Sequence, residues 1–260
     1  MLAHLKELFQ FRDLLLSLAL RDIKVRYRQT LLGIAWAVVQ PLAFMAIFTL
    51  VFAKFGKISS DRIPYPVFSY SGLVPWTFFA TALSLSVNSV AANMSMVKKI
   101  YFPREVFPLA VILGCLVDFL IAGALTGGLL AWYRIPVSAQ FLWLPWLLTI
   151  EVTFLAGTAL LVSAWNVFYR DVKYIVPIAV QLGLFVTPVI YSVTNVPEGL
   201  RRWYLLNPMA VVVDGIRRVL LLGQPPDVSW LLVSTAVVFA FACLSYRYFK
   251  RAEVKFADLI

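Results

Sequence analysis

The chain has 260 residues, of which 62% are hydrophobic and only 14% are charged, and its formal net charge is +10. Soluble domains carry about a quarter of charged residues, so this composition excludes an ordinary soluble domain and indicates an integral membrane protein. The charges lie in short clusters between long apolar runs, which places the basic residues beside anionic lipid headgroups and argues against a nucleic-acid partner.

The chain begins with an amphipathic segment, residues 1–30. Apolar residues recur there at near-helical spacing, and charged residues fall between them. The pattern predicts a helix that lies along the cytoplasmic membrane surface. A simple anchor and a docking surface for a cytoplasmic partner both remain open. Because the charges continue throughout this segment, we expect no cleavable signal peptide.

Six apolar runs follow, each close to the roughly 20 residues that a membrane-spanning helix needs. We therefore predict an all-α integral membrane protein with one transmembrane domain, 1–260. Lys and Arg are concentrated in alternate connecting segments, so the positive-inside rule places both termini on the cytoplasmic side of the cytoplasmic (inner) membrane. The predicted spans are 33–54, 68–92, 107–132, 141–166, 174–192 and 228–247.

The third predicted span contains Gly123-x-x-x-Gly127, a spacing that lets two helices approach closely. Packing within one subunit is the preferred interpretation, and a contact between two copies is the alternative. Pro41, in the middle of the first span, is weak evidence of function because many membrane helices tolerate proline.

The segment 193–227 separates the last two spans and is predicted to lie outside. It contains two stretches that are too short to cross a membrane. The second stretch, 209–222, is apolar on much of its surface and stops at Gly223 before two prolines. We expect an amphipathic or re-entrant helix at the outer interface, in a segment that caps a transport pathway. Residues 228–260 then form the sixth span and a cytoplasmic tail.

Two acidic residues fall inside predicted spans, Asp118 in the third and Glu151 in the fourth. At 1.5 Å of rise per residue, each lies about 15 Å from the start of its span, near the midplane. No Lys, Arg or His lies within the spans to neutralise them. They could share a proton and form a relay, but we prefer a protonated acid in an inter-helix hydrogen bond, because a relay usually needs more ionisable groups.

Signals of an enzyme are missing from the sequence. The histidine at position 4 is the only one, and Gly56-Lys57 continues with isoleucine, so no phosphate-binding loop is present. Cys115 and Cys243 fall within predicted spans, which indicates neither a disulfide framework nor a metal site. We expect no cofactor in this chain, and any energy from nucleotide hydrolysis must come from another polypeptide.

Aromatic residues are plentiful, and several lie inside the first, second and fifth spans. Aromatic faces give an uncharged surface on which sugar rings can slide. For any single residue, packing against lipid is the preferred interpretation. These residues are Trp36, Phe44, Trp76, Phe79, Phe185 and Tyr191.

Several segments, taken in order, resemble the membrane subunit of type-2 ABC exporters, in the group that exports O-antigen, capsule or teichoic acid. No segment is specific alone, but the ordered set covers nearly the whole chain. The matching stretches are 20–27 with Leu32, Gly33 and Trp36 after it, 72–76, 99–105, 166–172, 187–191, 207–209 and 256–258.

The resemblance implies two copies of this subunit and two cytoplasmic ATPase subunits that bind ATP and Mg. The substrate would be a polysaccharide on a polyprenyl or other lipid carrier. The resemblance also places the ATPase contacts on the interface helix, the first cytoplasmic loop and a second contact at the fourth span. The residues are Arg21, Asp22, Lys24, Arg26, Lys98, Lys99, Tyr101, Arg104, Tyr169, Arg170 and Asp171.

By the same resemblance, spans one, two and five line a translocation path at the seam between two copies, and residues 193–222 form an outer gate. The path residues are the six aromatic residues above together with Gln40, and the gate residues are Asn207, Pro208, Asp214 and Arg217.

Three other functions are alternatives to a polysaccharide exporter. An ion-coupled secondary transporter would use Asp118 and Glu151 and need no ATPase. A membrane enzyme acting on lipid-linked sugars would need a catalytic loop, and none is found. An ABC exporter of drugs or small lipids is the milder alternative, which the sequence does not exclude.

Overall fold

The computed structural model describes residues 8–28, 30–31, 33–55, 63–97 and 102–256. Within these ranges every regular element is helical, as the composition predicts. Short 3₁₀ turns cover Gly33–Ala35, Ala139–Trp143 and Val193–Asn195, and π-helical turns cover Thr49–Phe55 and Arg218–Leu222. The helices are α1 (Arg12–Tyr27), α2 (Trp36–Phe48), α3 (Tyr65–Val87), α4 (Ser89–Ala92), α5 (Met94–Val97), α6 (Val106–Trp132), α7 (Leu144–Phe168), α8 (Val172–Val186), α9 (Glu198–Tyr204), α10 (Pro208–Arg217) and α11 (Val228–Glu253).

Four stretches of the described chain are long and apolar enough to cross a membrane: Gly33–Phe52, Val106–Trp132, Ala139–Phe168 and Val228–Glu253. The chain is therefore an integral membrane protein. The other two predicted spans correspond to α3 and α8. With 15 residues, α8 is only about 22 Å long, less than the ~30 Å of a hydrocarbon core. The count of six spans stays a prediction for these two helices.

The central helix is α3, which packs against α2, α6, α7, α8 and α10. Of its 23 residues, 17 are buried, so most of its surface contacts protein rather than lipid. This explains why α3 is less apolar in composition than the four stretches above. The hydroxyls of Ser69 and Ser71 donate to backbone carbonyls of the same helix, Ser71 to that of Phe68 at 2.9 Å. The second span was predicted to reach residue 92, but Asn88 interrupts the helix after Val87.

The glycines of α6 and α7 differ in whether they allow a neighbouring helix to pack closely. A Cβ at Gly157 of α7 would lie 3.1 Å from Cα of Ala242 in α11, so this glycine allows the two helices to pack closely. A Cβ at Gly123 or Gly127 of α6 would meet nothing within 4 Å in the described chain. Among the described residues, therefore, no close packing within the subunit uses this motif, and a contact between copies stays open.

The N-terminal helix α1 packs lengthwise against the first half of α6. Leu18 and Ala19 are buried there, and a Cβ at Gly114 of α6 would lie 3.7 Å from the Ala19 carbonyl oxygen. Because this helix runs beside α6, its charged end reaches the level of Asp118. That it also lies along the cytoplasmic membrane surface stays a prediction.

Candidate functional site

The end of α1 and the middle of α6 meet in a polar cluster of Arg26, Tyr27 and Asp118. Arg26 donates through Nη1 to Oδ2 of Asp118, and the Tyr27 hydroxyl donates to Oδ1 of the same carboxylate. Nη2 of Arg26 also lies 3.4 Å from Sγ of Cys115. No span supplies a cation to Asp118, as expected, but α1 does. The partner of Asp118 is therefore Arg26 of α1, and not a second acid or a polar group of another span.

The protonation of the two donors follows from their surroundings. Burial, and then the hydrogen bond to Asp118, raise the pKa of Tyr27 to about 12. Burial lowers the pKa of Arg26, but Cys115 and Asp118 outweigh it and leave that pKa above its ordinary value. Arg26 therefore stays charged and Tyr27 stays a hydroxyl donor near neutral pH. The cluster is a fixed ion pair with a second donor, which does not suit a proton relay.

The cluster opens into a cavity of about 290 Å³ between α2, α3 and α6. Trp36 and Gln40, both predicted path residues, line it together with Thr77 and Thr81. An aromatic ring, an amide and two hydroxyls offer the apolar face and the hydrogen-bonding groups that a sugar ring needs. The structure thus brings two path residues and one intramembrane acid to a single cavity.

The remaining aromatic path residues divide into two groups. Phe44 on α2 and Phe185 on α8 are exposed, whereas Trp76 and Phe79 on α3 are core residues of the subunit. The Trp76 ring packs beneath Gly183, whose Cβ would lie 2.9 Å from it. Phe79 stacks on Phe154 at 5.4 Å between ring centroids. A role for these residues in a path stays a prediction.

The end of α8 is held by Arg217, a predicted gate residue. The helix ends at Val186, before the predicted end of the fifth span at 192, because Thr187, which precedes Pro188, is extended. The turn Thr187–Tyr191 follows. Helix ends leave carbonyls without partners. Arg217, which is 5% exposed, donates to the carbonyls of Pro188 and Val189 and, at 2.9 Å, to that of Tyr191. Its guanidinium also lies 3.8 Å from the ring centroid of Phe68.

Asn207 joins the same turn from the start of α10. Its side-chain oxygen caps the helix by accepting from the amide of Met209 at 3.1 Å, with Pro208 as the first helical residue. Its side-chain nitrogen donates to the Thr187 hydroxyl at 3.1 Å. We call Thr187–Tyr191, Asn207 and Arg217 the outer cluster. It contains three predicted residues, because Tyr191 was assigned to the path.

Asp214 lies outside this cluster. Its carboxylate accepts from Nε of Arg218, one turn along, at 2.8 Å. The hydroxyls of Tyr191 and Tyr204 hydrogen-bond to each other, which links the turn to α9. The predicted gate segment is therefore tied to the end of α8 at several points, and whether it opens a path stays a prediction.

Glu151 is fully buried in α7, and neither carboxylate oxygen has a hydrogen-bond partner within the described chain. It does not meet Asp118, whose carboxylate is held by Arg26 and Tyr27. The bridged pair of acids is therefore not formed. The inter-helix hydrogen bond that we preferred for Glu151 is not seen among the described residues either.

The predicted ATPase contacts are placed only in part. Lys98, Lys99 and Tyr101 lie outside the described residues. Arg21 bonds Asp22 at 3.0 Å and Asn93 at 3.3 Å, and Lys24 is exposed. Arg104 is engaged within the subunit, where it donates to the carbonyl of Glu253. The exposed residues at the connection from α7 to α8 are Tyr169, Arg170 and Asp171.

Sequence reasoning missed two features of these clusters. Tyr27 received no role, although it follows the charged run of α1 directly. Glu105 was seen only as part of a matching stretch, yet its Oε2 lies 2.8 Å from Nζ of Lys250, 145 positions away. No periodic signal could have joined residues so far apart.

Comparison with known proteins adds a separate line of evidence. The profile of the family described as "ABC-2 type transporter" matches residues 13–221. The chain is 28% identical to the O-antigen export system permease protein RfbA of Myxococcus xanthus, with 100% of both chains covered. It is 30% identical to RfbA of Klebsiella pneumoniae over 95% of each chain. It is also 24% identical to the polysialic acid transport protein KpsM of Escherichia coli, with 89% of this chain and 91% of that protein covered.

Proposed function

Because this chain belongs to the ABC-2 type transporter family, we propose that it is the permease subunit of an ATP-driven exporter of lipid-linked polysaccharide. As a dimer it forms the channel that moves the polymer outward across the cytoplasmic membrane. The observation that carries this proposal is the whole-length similarity to O-antigen export permeases from two organisms.

Two exposed helices support a dimer. In Gly33–Phe52 only 6% of the span is buried within the subunit, and α8 has a single buried residue, Val176. Large apolar side chains form a stripe on each helix, so each must face lipid or another chain. Gln40 is exposed within the stripe of α2. An amide is costly against lipid, which favours a seam with a polar path over a purely lipid-facing surface.

The cavity supports a sugar polymer as the substrate. Away from the Arg26–Asp118 pair at one end, its lining of Trp36, Gln40 and two threonines combines an apolar face with neutral hydrogen-bonding groups. Such a surface interacts with many sugar rings without a deep binding well, which suits a polymer that must keep moving. The lipid carrier is inferred from the family resemblance.

The energy source would be a partner. The sequence lacks a phosphate-binding loop, so two cytoplasmic ATPase subunits would bind ATP and Mg. They would contact the segment that leads from α5 to α6, α1 and the exposed connection between α7 and α8.

The proposal is tested by purifying the tagged chain from its native membrane in mild detergent and identifying its partners by mass spectrometry. We expect a stoichiometric ABC ATPase and two copies of each subunit. After reconstitution, polymer export should require ATP. A preparation free of any nucleotide-binding partner contradicts the proposal, and ATP-driven export of small lipids or drugs instead of polymer points to the milder alternative.

The burial of Glu151, with no hydrogen-bond partner among the described residues, keeps an ion-coupled carrier as the second candidate, because buried acids in membrane proteins are often functional. The ion pair at Asp118 disfavours it. Neutralising Glu151 alone (Glu151→Gln) leaves the Arg26–Asp118 pair intact. This variant should abolish transport by such a carrier, whereas the proposed exporter should retain ATP-driven export.

A further inference from the structure

A buried group of charged residues joins the start of α6 to the last turns of α11. Glu105 is completely buried, and its Oε2 lies 2.8 Å from Nζ of Lys250. Its other oxygen accepts from the Tyr246 hydroxyl at 3.1 Å. Lys250 also bonds Oε1 of Glu253, at 3.0 Å. Both oxygens of the buried carboxylate are therefore satisfied by a single helix, α11.

The residue before Glu105 binds the same helix from another side. Arg104 donates to the backbone carbonyl of Glu253, and its guanidinium lies 5.9 Å from the ring centroid of Phe256. Phe256 is itself fully buried and packs on Phe168 and Phe249, each at 5.8 Å between ring centroids. We call Arg104, Glu105, Tyr246, Lys250, Glu253 and Phe256 the α6–α11 joint.

The joint combines ionic and aromatic contacts, which makes it stiff. A buried carboxylate must keep its cation, because an unpaired charge in the protein interior is strongly unfavourable. A ring packed between two others has little freedom to shift. Movement of residues 104 and 105 should therefore displace the end of α11 rather than stretch the contact between them.

The position of the joint suggests its use. Arg104 and Glu105 follow residues 98–101, the segment proposed to contact the ATPase. On its other side, α11 packs along α7, with Gly157 allowing close approach. A displacement that reaches Arg104 and Glu105 thus has a continuous packed route to α11 and α7.

We infer that the α6–α11 joint transmits the movement of the ATPase-contact segment to α11, with Glu105 and Lys250 as positioning residues. The inference rests on the proposed function. It concerns the coupling of ATP hydrolysis to export, not the chemistry of either.

The test uses the complete complex of permease and ATPase in proteoliposomes with its lipid-linked polymer. The measured quantity is the amount of polymer exported per ATP hydrolysed, at equal amounts of assembled complex. For Glu105→Gln and Lys250→Met we expect this ratio to fall about five-fold or more, the lower range of coupling effects. ATP hydrolysis and the ATPase content should stay near those of the unmodified complex.

Two variants serve as controls. Lys250→Arg keeps the cation and should restore most of the ratio. Lys255→Met removes the same charge from an exposed position of the same tail and should leave the ratio unchanged. If Lys250→Met fails to assemble because Glu105 is left unpaired, the double variant Glu105→Gln with Lys250→Met replaces it, since removing both charges avoids that penalty.

The outcomes distinguish a failure of the proposed function from a failure of the inference about the α6–α11 joint. If the unmodified complex shows no ATP-driven polymer export, the proposed function is wrong and the inference falls with it. If the unmodified complex exports polymer but the ratio is unchanged in the variants, the inference alone is wrong. A loss of export and hydrolysis in equal proportion shows a merely structural role and also overturns it.

Discussion

Arg26 has a structural role that its sequence neighbours do not predict. In the sequence it is one of several basic residues of α1 and was assigned to the ATPase contact. In the structure its guanidinium pairs with Asp118 on α6, where the two side chains are 24% and 21% exposed. Such a pair holds α1 in register along α6, beside the cavity.

Removing Arg26 should therefore destabilise the subunit. Breaking a fully buried ion pair costs about 3–5 kcal/mol, and the partial exposure here lowers the expected loss for Arg26→Met to about 2 kcal/mol. The double variant Arg26→Met with Asp118→Leu should recover most of it. Denaturant unfolding in mixed micelles measures both, with Lys24→Met as the exposed control on the same helix. Equal stability of Arg26→Met and the unmodified chain would contradict the role given to this pair.

Arg217 acts on the backbone instead of on a side chain. It satisfies three carbonyls in the turn after α8, and hydrogen bonds from a charged donor contribute about 1.5–3 kcal/mol each. We expect Arg217→Met to lower the free energy of unfolding by about 3 kcal/mol or more. The comparison is with Arg218→Met, which removes the same charge one position later.

Arg218 is the matched control because it makes a partly exposed pair with Asp214. Because the Asp214 side chain is only 19% exposed, the loss expected for Arg218→Met is about 1–2 kcal/mol, between that of an exposed pair and that of a buried pair and below the loss expected for Arg217→Met. Both variants are measured by the same unfolding assay in detergent. A similar small loss for the two would show that Arg217 does not hold the turn.

At the scale of elements, the approach of α3 to the outer cluster depends on a glycine. A Cβ at Gly72 would lie 2.5 Å from Nη2 of Arg217 and 2.9 Å from the Val189 carbonyl oxygen. The second atom belongs to the backbone and cannot move aside easily. The absence of a side chain at Gly72 thus allows three elements to pack closely together: α3, α10 and the turn that follows α8.

Gly72→Ala should accordingly destabilise the subunit by about 1–3 kcal/mol, as overpacking in a core does. Gly123→Ala on α6 is the control, because nothing in the described chain lies near its Cβ. There alanine should be neutral or stabilise the helix by up to about 1 kcal/mol. Thermal unfolding of the two variants in detergent checks this order. A loss of dimer in Gly123→Ala, without a loss of subunit stability, would favour the contact between copies that the glycine motif left open.

At the scale of the whole molecule, the helices of the subunit differ in how much of their surface is covered by protein. The helices α3 and α10 are covered by protein, whereas α8 exposes Ile178 at 59% and Phe185 at 56%. Lipid tails are as apolar as these side chains, so association between copies must come from packing and not from the hydrophobic effect. The proposed seam therefore depends on the shape of these side chains.

Shortening the exposed side chains of α8 should weaken the dimer. We expect Ile178→Ala with Phe185→Ala to lower the dimer fraction several-fold in mild detergent, measured by native mass spectrometry. Leu232→Ala with Phe239→Ala makes the matched change on the exposed face of α11 and should leave the dimer intact. Equal effects of the two double variants would place the seam elsewhere.

The sequence by itself determined the helical class and most helix positions. A backbone in lipid must satisfy its hydrogen bonds internally, so long apolar runs between charge clusters predict helices directly. Local chemistry also predicted one end, since the stretch after α10 stops at Gly223, whose φ is +61°. The ordered matching segments predicted the family, which the profile match over residues 13–221 confirms.

Only the tertiary structure decided which charged residues meet. Asp118 and Arg26 are 92 positions apart, Glu105 and Lys250 are 145 apart, and Arg217 reaches back to the turn after α8. It also decided that α3 is covered while α2 and α8 are not. An ion pair or a buried face depends on how helices are placed relative to one another, and helical periodicity records which face of a helix is apolar but not which neighbour covers it.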